Sequence, residues 1–124
     1  MVKKVLIIDD EENLCQLVKL NLEETGKFEV LTSTTGKYGL ELAKSRLPDL
    51  ILLDIIIPDI DGAEVAERLL SDPITGCIPI IFLTALIDEK RVKDSNGLIG
   101  GRRFIAKPVA LEELIRSIEE ALED

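Results

Sequence analysis

Short runs of apolar residues alternate along this chain with segments of helical period. In chain order the apolar runs are VLII, FEVLT, LILL, IPIIFL and RFIA, which begin at residues 5, 28, 50, 78 and 103. Three of them are almost wholly apolar, as in strands covered on both faces, whereas FEVLT alternates more and is predicted to lie nearer an edge. The pattern predicts an α/β fold in which five parallel strands form a doubly wound sheet with helices on both faces.

The segments between these runs predict five helices. The first carries a clear apolar stripe and ends at Gly26, and the last, from residue 111 onward, carries another. The stripe of the first helix is Leu14, Leu17, Val18 and Leu22. A fourth helix at roughly 88–99 is the weakest of the five, because Asn96 and Gly97 each lower helix propensity by up to about 1 kcal/mol. We expect this helix to be short or mobile.

The composition is that of one soluble domain. With 124 residues, of which 46% are hydrophobic and 31% charged, the chain is long enough for one core and too short for two. The net charge of −9 disfavours direct binding to nucleic acid or to an anionic membrane, because such binding draws on Lys and Arg. Too few apolar residues follow Lys4 for a signal peptide, and no run reaches the length of a membrane span. We therefore expect a cytoplasmic protein whose small partner is a cation.

Polar side chains follow four of the predicted strands. Asp9 and Asp10 follow the first strand, Asp54 the third, Thr84 the fourth and Lys107 the fifth. The carboxyl ends of parallel strands meet at one rim of the sheet, where folds of this class bind their ligands. Three carboxylates, one hydroxyl and one ammonium group are therefore predicted to share a single crevice.

Carboxylates this close together repel one another unless a cation lies among them. The candidate ligands are all oxygens, since the chain has no histidine and Cys15 and Cys77 are predicted to be buried thiols. Oxygen ligands favour Mg²⁺, which usually keeps one or two carboxylates, several waters and a phosphate oxygen. This chemistry predicts Asp54 as a covalent phosphoryl acceptor, with Lys107 neutralising phosphoryl charge and Thr84 donating a hydrogen bond.

Each of these residues also has a simpler interpretation. Asp9 and Asp10 are typical N-cap residues for the first helix. Thr84 is an ordinary residue for a strand end, and Lys107 is an ordinary surface lysine before a turn at Pro108. Only their joint placement at four strand ends favours the shared site.

Four motifs along the chain resemble the receiver domain of two-component response regulators. They are VLIIDDEE, PDLILLDIIIPDIDG, IIFLTA and RFIAKP, which start at residues 5, 48, 80 and 103. The resemblance covers nearly the whole chain and implies one receiver domain over residues 1–124. It also implies a flavodoxin-like sheet with strand order 2-1-3-4-5, which is the order that such regulators show.

The resemblance assigns roles at the acidic rim. It implies that Asp54 is the phosphorylation site and that Asp10 and Asp54 bind Mg²⁺ directly, while Asp9 acts through water. The backbone carbonyl of Ile56 would complete the metal ligands that the protein supplies. Lys107 would be a catalytic residue beside Asp54, and its peptide bond to Pro108 is expected to be cis.

The resemblance also assigns moving parts. Thr84, a catalytic residue with Asp54 and Lys107, would form a switch pair with Phe104: on phosphorylation the hydroxyl moves toward the phosphoryl group and the ring turns inward. Gly62 fits a sharp turn between the Asp54 loop and the third helix.

The function implied is a phosphorelay signalling switch, which either stands alone or is an excised part of a longer regulator. A sensor histidine kinase or a phosphotransfer protein would supply the phosphoryl group from a phosphohistidine. The surface formed by the fourth helix, the fifth strand and the fifth helix would then change and bind a downstream protein, and it is also the expected contact of a monomer that dimerises weakly. The domain would not be an enzyme, apart from slow phosphorylation by phosphodonors and slow self-dephosphorylation.

The chain departs from the family pattern at two places. Gly100 to Arg103 stand where the family usually has Gly-Ala and an acidic residue, so Arg102 and Arg103 either alter partner choice or are solvated charges. Ile56 and Leu86 are bulky and apolar at positions that influence phosphoryl lifetime, which predicts a longer-lived phosphoryl group.

Two other functions use the same residues. Haloacid dehalogenase-like phosphatases also have an Asp nucleophile, Mg²⁺, a Thr and a Lys, but they generally carry a second acid where this chain has Ile56. A pseudo-receiver would keep the fold and bind partners without phosphorylation. Against it stands the presence of every expected site residue.

Overall fold

The apolar runs form the strands of one sheet in the computed structural model, which describes residues 2–85, 98–99 and 102–123, with the backbone alone for 98–99. The strands are β1 (Lys3–Ile8), β2 (Phe28–Ser33), β3 (Leu50–Asp54), β4 (Ile80–Thr84), β5 (Leu98–Ile99) and β6 (Arg102–Ala106). The helices of the described part are α1 (Glu12–Glu24), α2 (Gly36–Arg46), α3 (Gly62–Ser71) and α4 (Leu111–Glu123).

Five of the strands are parallel and lie in the order β2-β1-β3-β4-β6. The predicted doubly wound sheet with order 2-1-3-4-5 is therefore confirmed, with β6 as the fifth predicted strand. The alternating strand β2 lies at an edge, as its pattern indicated.

The short strand β5 was not predicted. It pairs antiparallel with β6 at the other edge of the sheet. The fourth predicted helix at roughly 88–99 was wrong for Leu98 and Ile99, which are extended, and its other residues lie outside the described part. The glycines on either side of this pair are poor helix formers, which explains why a helical stripe is not continued through it.

The sheet has an apolar core on each face. Alternate residues of β1 and β3 point to opposite faces, so one set packs with α1 and α4 and the other with α2 and α3. In each of these two strands the four residues before the acidic position are fully buried. They are Val5 to Ile8 in β1 and Leu50 to Leu53 in β3. Each such side chain contributes roughly 1.5–3 kcal/mol when buried. The strand ends therefore rest on fully buried core residues.

Two local predictions have different outcomes. Gly26 ends α1 with a φ of 76°, in the left-handed region that glycine adopts without strain. Cys15 is buried as predicted, but Cys77 is exposed, because it lies in the turn before β4 and not in the strand itself. Both thiols are free. No helix among the described residues is long and apolar enough to cross a membrane.

Candidate functional site

The predicted acidic residues converge at the carboxyl ends of β1 and β3. Asp9 directly follows β1 and is fully buried, and Asp54 is the last residue of β3 and is 6% exposed. Asp10, the next residue after Asp9, is exposed. One carboxylate oxygen from each of the three lies within 4.8 Å of the others. The predicted convergence of three carboxylates is thus present.

Asp9 is fixed by its backbone and by one of its carboxylate oxygens. Its N–H donates to the Ser33 carbonyl at 3.0 Å, and its Oδ1 accepts from the Glu11 N–H at 2.9 Å. The Oδ2 is buried and receives no hydrogen bond of acceptable angle, although it lies 2.8 Å from the Lys107 Nζ. Burial, assisted by the Asp54 charge, raises the pKa of Asp9 despite the nearby amine and the Glu11 N–H.

Neither aspartate caps the first helix. The N-cap residue of α1 is Glu11, and its side chain makes no capping hydrogen bond. The simpler interpretation of Asp9 and Asp10 as N-cap residues was therefore wrong. The bond from the Glu11 N–H to Asp9 instead forms a tight turn that places Asp9 at the rim.

Asp54 is held from two sides. Its Oδ1 accepts from the Ile56 N–H at 3.1 Å, and its Oδ2 accepts from the Lys107 amine at 3.1 Å. Behind it, Gly62 packs so closely that a Cβ there would lie 2.3 Å from the Asp54 carbonyl oxygen. Glycine is thus required by this close approach, and its N–H donates to the Ile55 carbonyl at 2.8 Å.

Lys107 bridges the acidic cluster. Its N–H donates to the Thr84 carbonyl at 2.9 Å, which fixes the residue at the end of β6 beside β4. Its Nζ lies 2.8 Å from Asp9, 3.0 Å from Glu11 and 3.1 Å from Asp54, and its side chain is only 11% exposed. Burial alone would lower the pKa of Lys107, but the bonds to these carboxylates outweigh it and raise the pKa above its ordinary value. Lys107 is therefore not an ordinary surface lysine.

Thr84 and Phe104 lie on adjacent strands but are not paired with each other. Thr84 is buried at the end of β4 and is paired in register with Ala106. Phe104 is partly buried and pairs with Phe82, on which its ring stacks at a centroid distance of 5.2 Å. The two residues are thus two positions apart along adjacent strands.

The other residues singled out in the sequence lie partly at this rim and partly at the opposite end of the strands. The Ile56 side chain is 58% exposed, and the Lys107–Pro108 peptide bond is cis. The two arginines contact groups of this chain: Arg103 pairs with Glu120 at 3.6 Å, and the Arg102 guanidinium lies 5.8 Å from the centre of the Phe82 ring. Leu86 lies outside the described residues.

Two carboxylates near the site were not predicted. Glu11 contacts Lys107, as described above. Its place next to Asp9 and Asp10 in the DDEE run was the sequence signal that could have indicated this contact. Asp59 accepts from the Gly36 N–H at 2.8 Å and the Lys37 N–H at 3.0 Å, and these two bonds lower the pKa of Asp59. They tie the loop after Asp54 to the start of α2, a long-range contact that no local pattern reveals.

The donor set fits a divalent cation. The three carboxylates supply oxygen atoms alone, which is what Mg²⁺ prefers. A single ammonium group does not balance them, and the buried Oδ2 of Asp9 lacks a hydrogen bond. A buried oxygen in this condition is stabilised by a further cation.

The chain resembles one family of known proteins over most of its length. The model of the response regulator receiver domain matches residues 5–119. The chain belongs to this receiver domain family. Receiver domains are signalling domains of two-component response regulators, so the fold and the acidic rim belong to a family of switches and not to one of conventional enzymes.

Curated relatives of this receiver domain fall into two groups by length. The alkaline phosphatase synthesis transcriptional regulatory protein PhoP of Bacillus subtilis is 37% identical over 92% of this chain and 46% of its own. The chain thus spans about half the length of that relative. The polar-differentiation response regulator DivK of Brucella ovis is 34% identical over the whole of this chain and 99% of its own.

Solved receiver structures match the fold over its full length. A response regulator from Chloroflexus aurantiacus is 28% identical, with a TM-score of 0.84 and complete coverage of both chains. The chemotaxis protein CheY4 of Vibrio cholerae is 25% identical, with a TM-score of 0.82 and coverage of 98% of this chain and 99% of that one. The receiver domain described here therefore has the parallel sheet of these regulators.

Proposed function

We propose that this receiver domain is a phosphorelay switch in which Asp54 accepts a phosphoryl group from a phosphohistidine. The donor is a sensor histidine kinase or a phosphotransfer protein. The proposal rests above all on the Asp54 carboxylate, which lies at the rim of the sheet with the Lys107 amine 3.1 Å from its Oδ2. A carboxylate in such a place can serve as a nucleophile for phosphoryl transfer.

In the proposed step, a carboxylate oxygen of Asp54 attacks phosphorus and forms a new phosphorus–oxygen bond. The phosphorus–nitrogen bond of the phosphohistidine breaks, and the imidazole leaves with the bonding electrons. Charge on the transferred group spreads over its three remaining oxygens. Lys107 neutralises part of this charge and the Thr84 hydroxyl donates a hydrogen bond, while the fixed strand ends hold both groups in place before the reaction.

We further propose that Asp10, Asp54 and the Ile56 carbonyl bind Mg²⁺ directly and that Asp9 does so through water. When bound, the ion supplies positive charge that compensates the carboxylates and the phosphoryl oxygens. This assignment is supported by the three oxygens within 4.8 Å of one another and by the buried Oδ2 of Asp9 without a hydrogen bond.

The proposed readout is the switch pair of Thr84 and Phe104. The Thr84 hydroxyl moves toward the phosphoryl group, and the Phe104 ring turns inward into the space that the hydroxyl leaves. The partly buried ring stacked on Phe82 supports this assignment, since it lies between the core and the surface. A change in the Phe104 ring signals in NMR spectra on phosphorylation would be the direct measurement.

The proposed target is a downstream protein, reached through a surface that includes β6 and α4; the fourth predicted helix, the third part of this surface, lies outside the described residues apart from Leu98 and Ile99. DivK, a response regulator that this chain covers almost completely, supports a receiver domain that acts as a separate molecule. The net charge of −9 argues against direct binding of nucleic acid or membrane and fits a cytoplasmic switch that is monomeric or weakly dimeric.

The proposed phosphoryl group is long-lived. Ile56 donates its N–H to Asp54, and its side chain, two residues past the acceptor, is apolar and 58% exposed. We infer that this side chain limits the approach of water. Exchange of Ile56 for Asn should therefore speed the decay of the phosphorylated protein several-fold. An unchanged decay rate, followed by intact mass after removal of the phosphodonor, would remove this part of the proposal.

The deciding experiment is intact mass spectrometry after incubation with Mg²⁺ and acetyl phosphate. We expect the wild type to gain one phosphoryl group and Asp54→Asn to gain none. Asp61→Asn is the matched control: Asp61 caps α3 in the same loop, and Asn caps a helix about as well, so this variant should be phosphorylated normally. A wild type that gains no mass would instead indicate a pseudo-receiver.

A further inference from the structure

Three carboxylates surround the Lys107 amine in this structure. Those of Asp9, Glu11 and Asp54 lie between 2.8 and 3.1 Å from the Nζ. The amine donates hydrogen bonds to Glu11 and Asp54. A further anion that approaches this amine must therefore compete with the carboxylates already there.

The three carboxylates are not held equally. The side chains of Asp9 and Asp54 are 0% and 8% exposed and sit at strand ends, so they cannot turn to solvent without moving the rim. The Glu11 side chain is 60% exposed and reaches Lys107 from the turn before α1. Its carboxylate can exchange the amine for water at little cost.

The incoming group adds oxygens at the position that Lys107 must serve. In the proposed function, phosphoryl oxygens gather beside Asp54 and take up charge there. These oxygens compete with the carboxylates for the amine, and Glu11 is the carboxylate most easily released. This inference rests on the proposed function and concerns a residue to which that function gives no part.

We propose that Glu11 is a positioning residue that competes with the phosphoryl group for the Lys107 amine. In the resting protein the Glu11 carboxylate accepts one of the hydrogen bonds that the Lys107 amine donates. On phosphorylation its carboxylate is displaced to solvent at the start of α1. Because coupling is reciprocal, phosphorylation in turn releases the Glu11 carboxylate that opposes it. The negative charge of Glu11 is then no longer paired with Lys107, and the surface around this turn changes accordingly.

Charge removal at this position should speed phosphorylation. We expect Glu11→Gln to react with acetyl phosphate and Mg²⁺ about 2- to 5-fold faster than the wild type, the scale of an exposed ion pair. Since the Glu11 carboxylate is exposed, the difference should shrink at about 1 M salt, where screening acts within a few ångströms. Glu12→Gln is the matched control. It removes the same charge at the next residue along the chain, and Glu12 is not among the carboxylates that contact Lys107.

A second readout needs neither metal nor phosphodonor. The ammonium protons of Lys107 can be followed by NMR in protein labelled with ¹⁵N-lysine. Loss of an acceptor should let them exchange with water faster, most in Glu11→Ala, less in Glu11→Gln and not at all in Glu12→Gln. Unchanged exchange in Glu11→Ala would mean that the contact does not hold the amine in solution, and the proposal would fall.

The two proposals can fail separately. If the wild type is phosphorylated but Glu11→Gln is no faster than Glu12→Gln, the competition is refuted and the phosphorelay function stands. If the wild type gains no phosphoryl group, both are refuted, even where the NMR measurement shows that Glu11 holds the amine.

Discussion

At the amino ends of the parallel strands, charged groups have partners that belong to the fold. Asp49 accepts from the Lys4 N–H at 2.8 Å, and the Lys4 amine donates to the Arg46 carbonyl at 3.2 Å. At the carboxyl ends Asp9, Glu11 and Asp54 share one lysine, and the buried Asp9 Oδ2 has no hydrogen bond. The charged groups named at the first end are paired within the chain, whereas the acidic cluster at the second end could bind a metal ion.

Two aspartates express this difference in their pKa values. At the amino ends, the bond from the Ile74 N–H, together with Lys44, lowers the pKa of Asp72. At the carboxyl ends, burial raises the pKa of Asp9. The same side chain is therefore stabilised as an anion at one end of the strands and destabilised as an anion at the other. Perturbed carboxylates of the second kind are typical of functional sites.

The largest contrast that we expect lies in the two thiols. Cys15 lies beneath the carboxyl-end rim, where its thiol donates to the Asp9 carbonyl at 3.3 Å and burial raises its pKa to about 12. At about pH 8 only about one Cys15 in ten thousand would be a thiolate, the form that reacts. Cys77 is exposed in the turn before β4. Iodoacetamide should thus modify the folded protein once, at Cys77, as peptide mapping by mass spectrometry would show.

Denatured protein is the control for this measurement, because both thiols should then react. Rapid modification of Cys15 in the folded protein would mean that the carboxyl-end rim opens readily. The stable burial of the strand ends, on which the proposed chemistry depends, would then be in doubt.

A second contrast concerns two glycines at opposite ends of the strands. Gly62→Ala places a methyl group against the Asp54 carbonyl, so we expect a loss of roughly 1–3 kcal/mol and weaker phosphorylation, because the Asp54 loop must move. Gly26→Ala meets no atom within 4 Å but strains a φ of 76°, which costs about 1–2 kcal/mol. Urea unfolding and the mass assay measure the two effects.

Gly26→Ala is a suitable control for Gly62→Ala, because both variants are expected to be destabilised to a similar extent. Only Gly62→Ala should lose phosphorylation under conditions in which both proteins are folded. If Gly26→Ala loses it to the same extent, general destabilisation explains the result and the close packing behind Asp54 has no special role.

Hydrophobic periodicity was sufficient to predict the sheet and most of its cover. Strands buried on both faces are apolar throughout, and the convergence of Asp9, Asp54 and Lys107 then follows from the geometry of a parallel sheet. The segment before β6 was not predictable in the same way. Its apolar residues fit a helical stripe, yet Leu98 and Ile99 pair with a strand, since short segments take their conformation from tertiary contacts.

The contacts that orient the site could not be predicted from the sequence. Glu11 reaches Lys107 across 96 positions of the chain, and Asp59 bonds to Gly36 across 23. Both are side chains in turns, where no repeating period relates a residue to a face. Cys77 was misjudged for the same reason, because apolar neighbours in sequence do not bury a residue that lies in a turn.

The smallest effect that we expect is also the most direct test of the contrast between the two ends. Asp72 has a lowered pKa, so it contributes stability above its ordinary value of 3.8 that is lost as the pH falls through the folded-state value. Asp72→Asn should therefore be less stable than the wild type near pH 7, and the difference should shrink in acid. Asp9 has a raised pKa, so its ionisation above 3.8 costs stability as the pH rises.

Asp9→Asn should accordingly be more stable than the wild type near pH 7 without divalent ions, with the gain vanishing below about pH 4. Urea unfolding of the two variants from about pH 3 to 7 would give curves that diverge in opposite directions from the wild type. Added Mg²⁺ should stabilise the wild type more than Asp9→Asn, since a ligand that binds the folded state adds to its stability. If both variants lose stability at neutral pH, the carboxyl-end rim is as complete as the amino-end rim, and the physical reason for a cation there disappears.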